Sequence, residues 1–203
     1  FGLHRRADGA WVYRDWAPNA TALVLVGDFS DWQERGEFFA QAQGSGCWEL
    51  VMPAEALQHG QHYRVKMHWS GGQGERLPAW GRRVVQDPAT NVFSAQVWEE
   101  IPHAWKHTTP NNQVPPIIYE AHVGMSSEAA GIATWSDFRE HMLPRIVGAG
   151  YNTVQLMAVQ EHPYYGSFGY HVGSFFAPSS RFGTPNELKE LVDAAHGMGL
   201  RVI

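Results

Sequence analysis

The hydrophobic period of this chain changes near residue 116, so one polypeptide must build two kinds of folding unit. Upstream, apolar residues come in short runs and alternations broken by turns. Tyr63, Val65, Met67 and Trp69 alternate with Arg64, Lys66 and His68, the period-two pattern of a strand with one buried and one wet face. Ala22 to Val26 is an unbroken apolar run stopped by Gly27-Asp28. Shorter strand candidates are Trp11 to Trp16, Trp48 to Met52, Val84-Val85 and Val92-Phe93. Gly44-Ser45-Gly46 and Gly71-Gly72 mark turns, and a helical turn is suggested only around Ala54 to Leu57. Many short strands with frequent turns predict a β-sandwich of about 100 residues.

Downstream, a different unit recurs: capping box, amphipathic helix, Gly-x-Gly, apolar strand. Thr134-Trp135-Ser136-Asp137 and Thr184-Pro185-Asn186-Glu187 both have capping-box spacing, the second with proline at the first helical position. Trp135, Phe138, Met142 and Ile146 form one helical stripe, and Leu188, Leu191, Val192 and Ala195 the other. Pro144 interrupts the first helix and predicts a kink or a restart. The pairs Gly148/Gly150 and Gly197/Gly199 leave a helix for a strand, so they read as helix C-caps and not as a dinucleotide fingerprint. Strands are expected at Ile117 to Tyr119, Val154 to Val159 and Leu200 to Ile203. Successive strand–helix steps predict parallel strands with right-handed crossovers, in a barrel or an open sheet. The polar, proline-rich stretch from Glu99 to Pro116 reads as an ordered connector.

Several classes are disfavoured. A net charge of -5 argues against nucleic-acid binding, which needs a basic surface. No run reaches the roughly 18 apolar residues of a membrane span, and no signal peptide is visible. Cys47 is the single cysteine, which removes any intramolecular disulfide and suits a cytoplasmic location. The chain opens at Phe1 without an initiator methionine and stops at Ile203 inside an apolar run, which gives the expectation of an internal segment of a longer polypeptide.

The long loop from Glu161 to Phe182 follows a strand, where α/β proteins place their sites. Glu161, His162, Tyr164, Tyr165, Phe168, Tyr170 and His171 supply rings and polar edges without a cationic cluster, a surface suited to the faces and hydroxyls of sugars. Phe168, Phe175 and Phe176 are expected to pack that loop onto its own sheet. Glu120 and His122 share one side of a strand and could pair or reach the site mouth. His162 and His171 have no third ligand at a recognisable spacing, so no metal is expected, and no cofactor motif occurs. Asp28 and Asp31 read as turn formers. Trp16 and Trp32 read more readily as packing than as ligand contacts.

The longest motifs carry a resemblance. They are Phe1-Gly2-Leu3-His4-Arg5, Trp16-Ala17-Pro18 with Gly27-Asp28-Phe29, Val85-Gln86-Asp87, Tyr119-Glu120-Ala121-His122-Val123-Gly124, Leu143-Pro144-Arg145-Ile146 and Gln155-Leu156-Met157. The most specific is Phe168-Gly169-Tyr170-His171-Val172, followed by Phe175-Phe176-Ala177 and Ser179-Ser180-Arg181-Phe182-Gly183-Thr184-Pro185. Over essentially its whole length the chain resembles the amino-terminal half of glycogen- and starch-branching enzymes. That resemblance implies an immunoglobulin-like, glucan-binding β-sandwich at 1–98, a connector at 99–115, and at 116–203 the first three strand–helix units of a truncated (β/α)8 TIM barrel. The implied partner is an alpha-1,4-glucan.

Tyr170 matches the family tyrosine that stacks on the sugar before the scissile bond, with His171, Tyr165, His162 and Glu161 as further substrate contacts. The implied glucan contacts on the sandwich are Trp16, Ala17 and Pro18, with Trp32 a further candidate beside them. Two departures stand out: Cys47 replaces a family lysine, and His171 stands where relatives usually carry glutamine. The resemblance puts the first conserved barrel aspartate two positions past Ile203 and the reacting carboxylates on later strands. No catalytic residue is therefore expected within these residues, and the segment alone is expected to be inactive. The alternatives are a debranching or other glucan hydrolase of the alpha-amylase superfamily, and a non-catalytic glucan-binding protein.

Overall fold

Two antiparallel sheets form where the alternating segments call for them. The computed structural model describes residues 1–111 and 113–203, which divide into two units: Phe1–Glu100 with Ser174–Ala177, and Ile101–Gly173 with Pro178–Ile203. In the first unit one sheet has the order β1-β2-β5-β4, from β1 (Gly2–Arg5), β2 (Trp11–Trp16), β4 (Gln41–Gly44) and β5 (Cys47–Met52). The other runs β3-β6-β9-β8, from β3 (Ala20–Gly27), β6 (His62–Trp69), β8 (Val84–Gln86) and β9 (Phe93–Gln96), with β7 (Gly72–Arg76) paired to β6. Trp11, Tyr13, Leu50 and Met52 of the first sheet meet Leu23, Leu25, Tyr63, Val65 and Met67 of the second in a closed core. Burying each such side chain stabilises the fold by about 2 kcal/mol.

Two departures from the sequence pattern matter here. Strands β1, β4 and β7 escape an alternation search; β4 is exposed at all four residues, and its ladder to β5 is backbone hydrogen bonding with no apolar face to announce it. Trp69 continues the buried alternation of Tyr63, Val65 and Met67 in sequence, yet it is 45% exposed. It stands at the last position of β6, past the part of that face covered by the core.

The second unit holds a parallel sheet in chain order, β10 (Ile118–His122), β11 (Thr153–Met157) and β14 (Arg201–Val202); between the last two in sequence come the short strands β12 (Gln160–Glu161) and β13 (Ser174–Pro178), of which β13 falls almost wholly in the first unit. Helical segments join the strands, giving a barrel-like arc that is not closed. Both capping boxes form. Thr134 Oγ1 accepts the Asp137 amide at 3.1 Å while the Asp137 carboxylate accepts the Thr134 amide at 2.8 Å. Thr184 and Glu187 do the same at 3.3 and 2.6 Å, opening the helix Pro185–Gly197.

The kink expected at Pro144 takes a specific form. Between α1 (Trp135–Asp137) and α2 (Leu143–Gly148) the chain makes one π-helical turn, Phe138–Met142, in which the Leu143 amide reaches back to the Phe138 carbonyl. The wider turn moves the backbone away from the proline ring, which in a regular helix collides with the carbonyl four residues back. The extra residue also shifts the stripe: Trp135, Phe138, Leu143 and Ile146 are buried, and Met142 only partly.

The helix Pro185–Gly197 (α3) also presents a buried acid. The Asp193 carboxylate accepts the amides of Lys106 at 3.1 Å and His107 at 3.0 Å, and the His107 ring lies 3.3 Å away. One helix thereby holds the segment around residue 106 in place. Burial alone raises the Asp193 carboxyl, but these donors outweigh it and hold it below the usual aspartate range. Among the described residues no helix is long and apolar enough to cross a membrane.

Candidate functional site

In the second unit the segment after β11 is fixed by polar bonds and presents its rings outward. The buried Glu161 carboxylate accepts the Ser180 amide at 2.6 Å, its neighbour His162's amide at 3.1 Å and the Arg181 guanidinium at 3.1 Å. Arg181 also donates to the His162 carbonyl at 2.5 Å and the Pro163 carbonyl at 3.2 Å. One acid and one base therefore tie both ends of the loop together. Phe168, Phe175 and Phe176, expected to pack the loop onto its own sheet, are exposed instead, at 45%, 69% and 57%, and Phe175 and Phe176 belong to the first unit.

Tyr170 is 76% exposed and His171 is exposed beside it. Their position follows from the turn before them. Phe168 takes a left-handed φ of 52°, and a Cβ on Gly169 would come within 2.3 Å of the Ala158 Cβ, so only glycine fits there. Tyr165 is half-buried, and His162 is fully buried with its Nδ1 proton donated to the Gln160 carbonyl at 3.0 Å. The candidates thus separate: Tyr170, His171 and Tyr165 are reachable from solvent, whereas Glu161 and His162 are sealed beneath them.

His122 belongs to the same neighbourhood. Its ring lies edge-on to Tyr165, Phe168 and Phe182 with centroids 6.2, 6.0 and 5.8 Å away. Burial, and then the nearby His162, push its pKa below the ordinary histidine value, so the ring is neutral near pH 7. Glu120 does not pair with it; its carboxylate accepts from Gln155 Nε2 at 2.6 Å, its partner in the β10–β11 register. Among the described residues no group of three His, Cys, Asp or Glu side chains is placed to hold a metal.

The first unit presents a second surface. Trp16 is 54% exposed at the end of β2, and its Nε1 donates to the Ser45 carbonyl at 3.1 Å. The buried Asp15 accepts both the Tyr13 hydroxyl at 2.6 Å and the Trp16 amide at 2.8 Å, which fixes the backbone under that ring. A pocket of about 380 Å³ is lined by Trp16, Ala17, Pro18, Met67, Trp69 and Arg76, among others. Trp69 and Arg76 are the residues that sequence reasoning missed, Trp69 because its alternation placed it in the core. Trp32 stands apart from this pocket; it is 39% exposed and its Nε1 donates to Asp28 at 3.1 Å. Asp28 also accepts the His62 amide at 2.7 Å, so it does more than form a turn.

Comparison with known proteins gives this chain relatives in both sequence and fold. Residues 1–89 match carbohydrate-binding module 48, the isoamylase N-terminal domain. The 1,4-alpha-glucan-branching enzyme of Yarrowia lipolytica is 43% identical across 100% of this chain. The chain is homologous to 1,4-alpha-glucan-branching enzymes. This branching-enzyme homologue spans 31% of the Yarrowia protein. It is 44% identical to the 1,4-alpha-glucan-branching enzyme 2-2, chloroplastic/amyloplastic, of Arabidopsis thaliana, over 98% of this chain and 26% of that one. The Equus caballus branching enzyme is 41% identical, over 100% of this chain and 30% of that one. The fold recurs in the pullulanase of Paenibacillus barengoltzii, with a TM-score of 0.79 at 21% identity, covering 100% of this chain and 36% of that one. The pullulanase of Bacillus acidopullulyticus gives 0.77 at 22% identity, covering 100% and 28%.

Proposed function

We propose that the protein to which this branching-enzyme homologue belongs cleaves alpha-1,4-glucan chains and transfers them to a sugar 6-hydroxyl, forming alpha-1,6 branches. The observation that carries this reading is the exposed Tyr170 ring, held out by the Glu161–Arg181 clamp in a chain homologous along its length to branching enzymes. An exposed aromatic face suits the apolar face of a glucose ring, and His171 beside it can bond hydroxyls. In this reading Tyr170, His171 and Tyr165 orient the glucan, while Glu161 and His162 support them from below. Trp16, Ala17, Pro18 and Trp32 hold glucan on the sandwich.

The resemblance implies a retaining reaction. One carboxylate attacks the anomeric carbon while a carboxylic acid protonates the leaving oxygen, and a sugar hydroxyl then displaces the enzyme. The same resemblance assigns those two roles to carboxylates other than Glu120 and Glu161. The lone, half-buried Cys47 supports a reducing compartment such as the cytoplasm.

The test is incubation of the protein at its natural length with amylose. New alpha-1,6 branches without loss of total glucan are the expected result, and release of linear chains from glycogen instead points to a debranching hydrolase. Replacing Tyr170 with Ala should lower turnover at least tenfold, a loss of about 1.4 kcal/mol of transition-state stabilisation, with unchanged unfolding. Near-normal branching by that variant removes the role given to Tyr170.

A further inference from the structure

We propose that Trp69 and Arg76 form a second wall opposite Trp16, making the pocket at the end of the sandwich a two-ring groove for a run of alpha-1,4-linked glucose units. The proposal rests on the glucan-active reading above and extends it to residues outside the motifs that carry the resemblance.

The two indoles come from different sheets, Trp16 from the end of β2 and Trp69 from the end of β6, and both line the same pocket. The Trp69 ring is placed by its neighbour strand. In the β6–β7 register Trp69 faces Gly72 and Met67 faces Gly74. A Cβ added at Gly72 would meet Trp69 Nε1 at 3.0 Å, and one at Gly74 would meet its Cη2 at 3.2 Å. The indole therefore lies across a strip of backbone that two glycines leave bare. One side of the ring rests on β7 while 45% of the residue stays open to solvent.

Alternation along β7 puts Arg76 on the same face as Gly72 and Gly74, next in line after the ring. Arg76 is exposed and, among the described residues, forms no ion pair, so its fork of donors is available to hydroxyls. Met67 supplies a buried apolar floor and Asn19 a further polar edge. Exposed rings, an apolar floor and neutral-to-donating edges match a sugar with apolar faces and acceptor hydroxyls. The match of residues 1–89 to a carbohydrate-binding module favours that occupant over a peptide.

The test uses the protein at its natural length and maltoheptaose as the probe. Oxidative footprinting read by mass spectrometry should show maltoheptaose shielding Trp69 several-fold, with Trp105, exposed in the other unit, unaffected. Trp69→Ala should weaken maltoheptaose binding roughly tenfold, a change of about 1.4 kcal/mol, and Trp69→Phe should retain most of it. Arg76→Ala should weaken it several-fold. A Trp69 that stays unshielded at saturating maltoheptaose overturns the groove, as does unchanged affinity in a folded Trp69→Ala. Branch formation on amylose reads the enzymatic proposal separately. Shielding of Trp69 without branching leaves the groove and removes the enzyme; branching with Trp69 unshielded does the reverse.

Discussion

His122 and Glu161 are both polar, both near the same rings, and they have opposite reasons for being there. Because burial lowers the pKa of His122, the unfolded chain takes up a proton on this ring at a higher pH than the folded chain does. Its contribution to stability is complete above the ordinary histidine value of about 6.5 and is lost as pH falls through the lower folded value. The urea midpoint should therefore drop between pH 7.5 and 5.5 by more in the native sequence than in His122→Phe; equal drops would contradict the assignment. Glu161 works through its bonds. Glu161→Ala removes one acceptor from the partly buried Arg181 and the acceptor of the Ser180 amide, and should destabilise the second unit by about 2 kcal/mol in denaturant unfolding. At this scale the sequence located a ring-rich loop, and the structure separates its exposed residues from its buried ones. Glu161 reads as one of the loop's polar edges; the structure buries it against Ser180 and Arg181, some twenty positions away, and no local pattern reveals that return. Tyr170 was legible only through the resemblance.

Element boundaries were legible wherever a local bond dictates them. Thr134 and Thr184 cap their helices because a hydroxyl and a carboxylate three residues apart satisfy two free amides, and both capping boxes can be read directly from four letters. The π-turn was legible only as a conflict, since Pro144 forbids a regular helix without saying how the chain resolves it. That resolution is testable. Deleting His141, an exposed residue of the wide turn, restores regular spacing between Phe138 and Leu143 but returns Pro144 to a helix interior. The deletion alone should destabilise by about 3 kcal/mol, and adding Pro144→Ala should recover most of that. Recovery without the proline change would show that the ring is not the cause. Edge strands such as β4 had no signal at all, because what holds them is the backbone of a neighbour.

Across the whole molecule the division into a sandwich and a parallel α/β arc followed from the change of period, because alternation and helical stripes demand different partners. The sandwich closes its core between two sheets, whereas β10 and β14 are the outer strands of a three-stranded parallel sheet. Amides of β3 and β6 in the 203-residue chain should therefore exchange more slowly with deuterium than those of β10 and β11, and equal protection would contradict that difference. Each unit also offers its own open ring, Trp16 in one and Tyr170 in the other. Each ring is held by bonds within its own unit, Trp16 through Asp15 and Ser45, and Tyr170 in the loop closed by Glu161 and Arg181. In the reading proposed above, losing one ring therefore leaves the other unit's contact with glucan intact, and the two contributions can be removed one at a time.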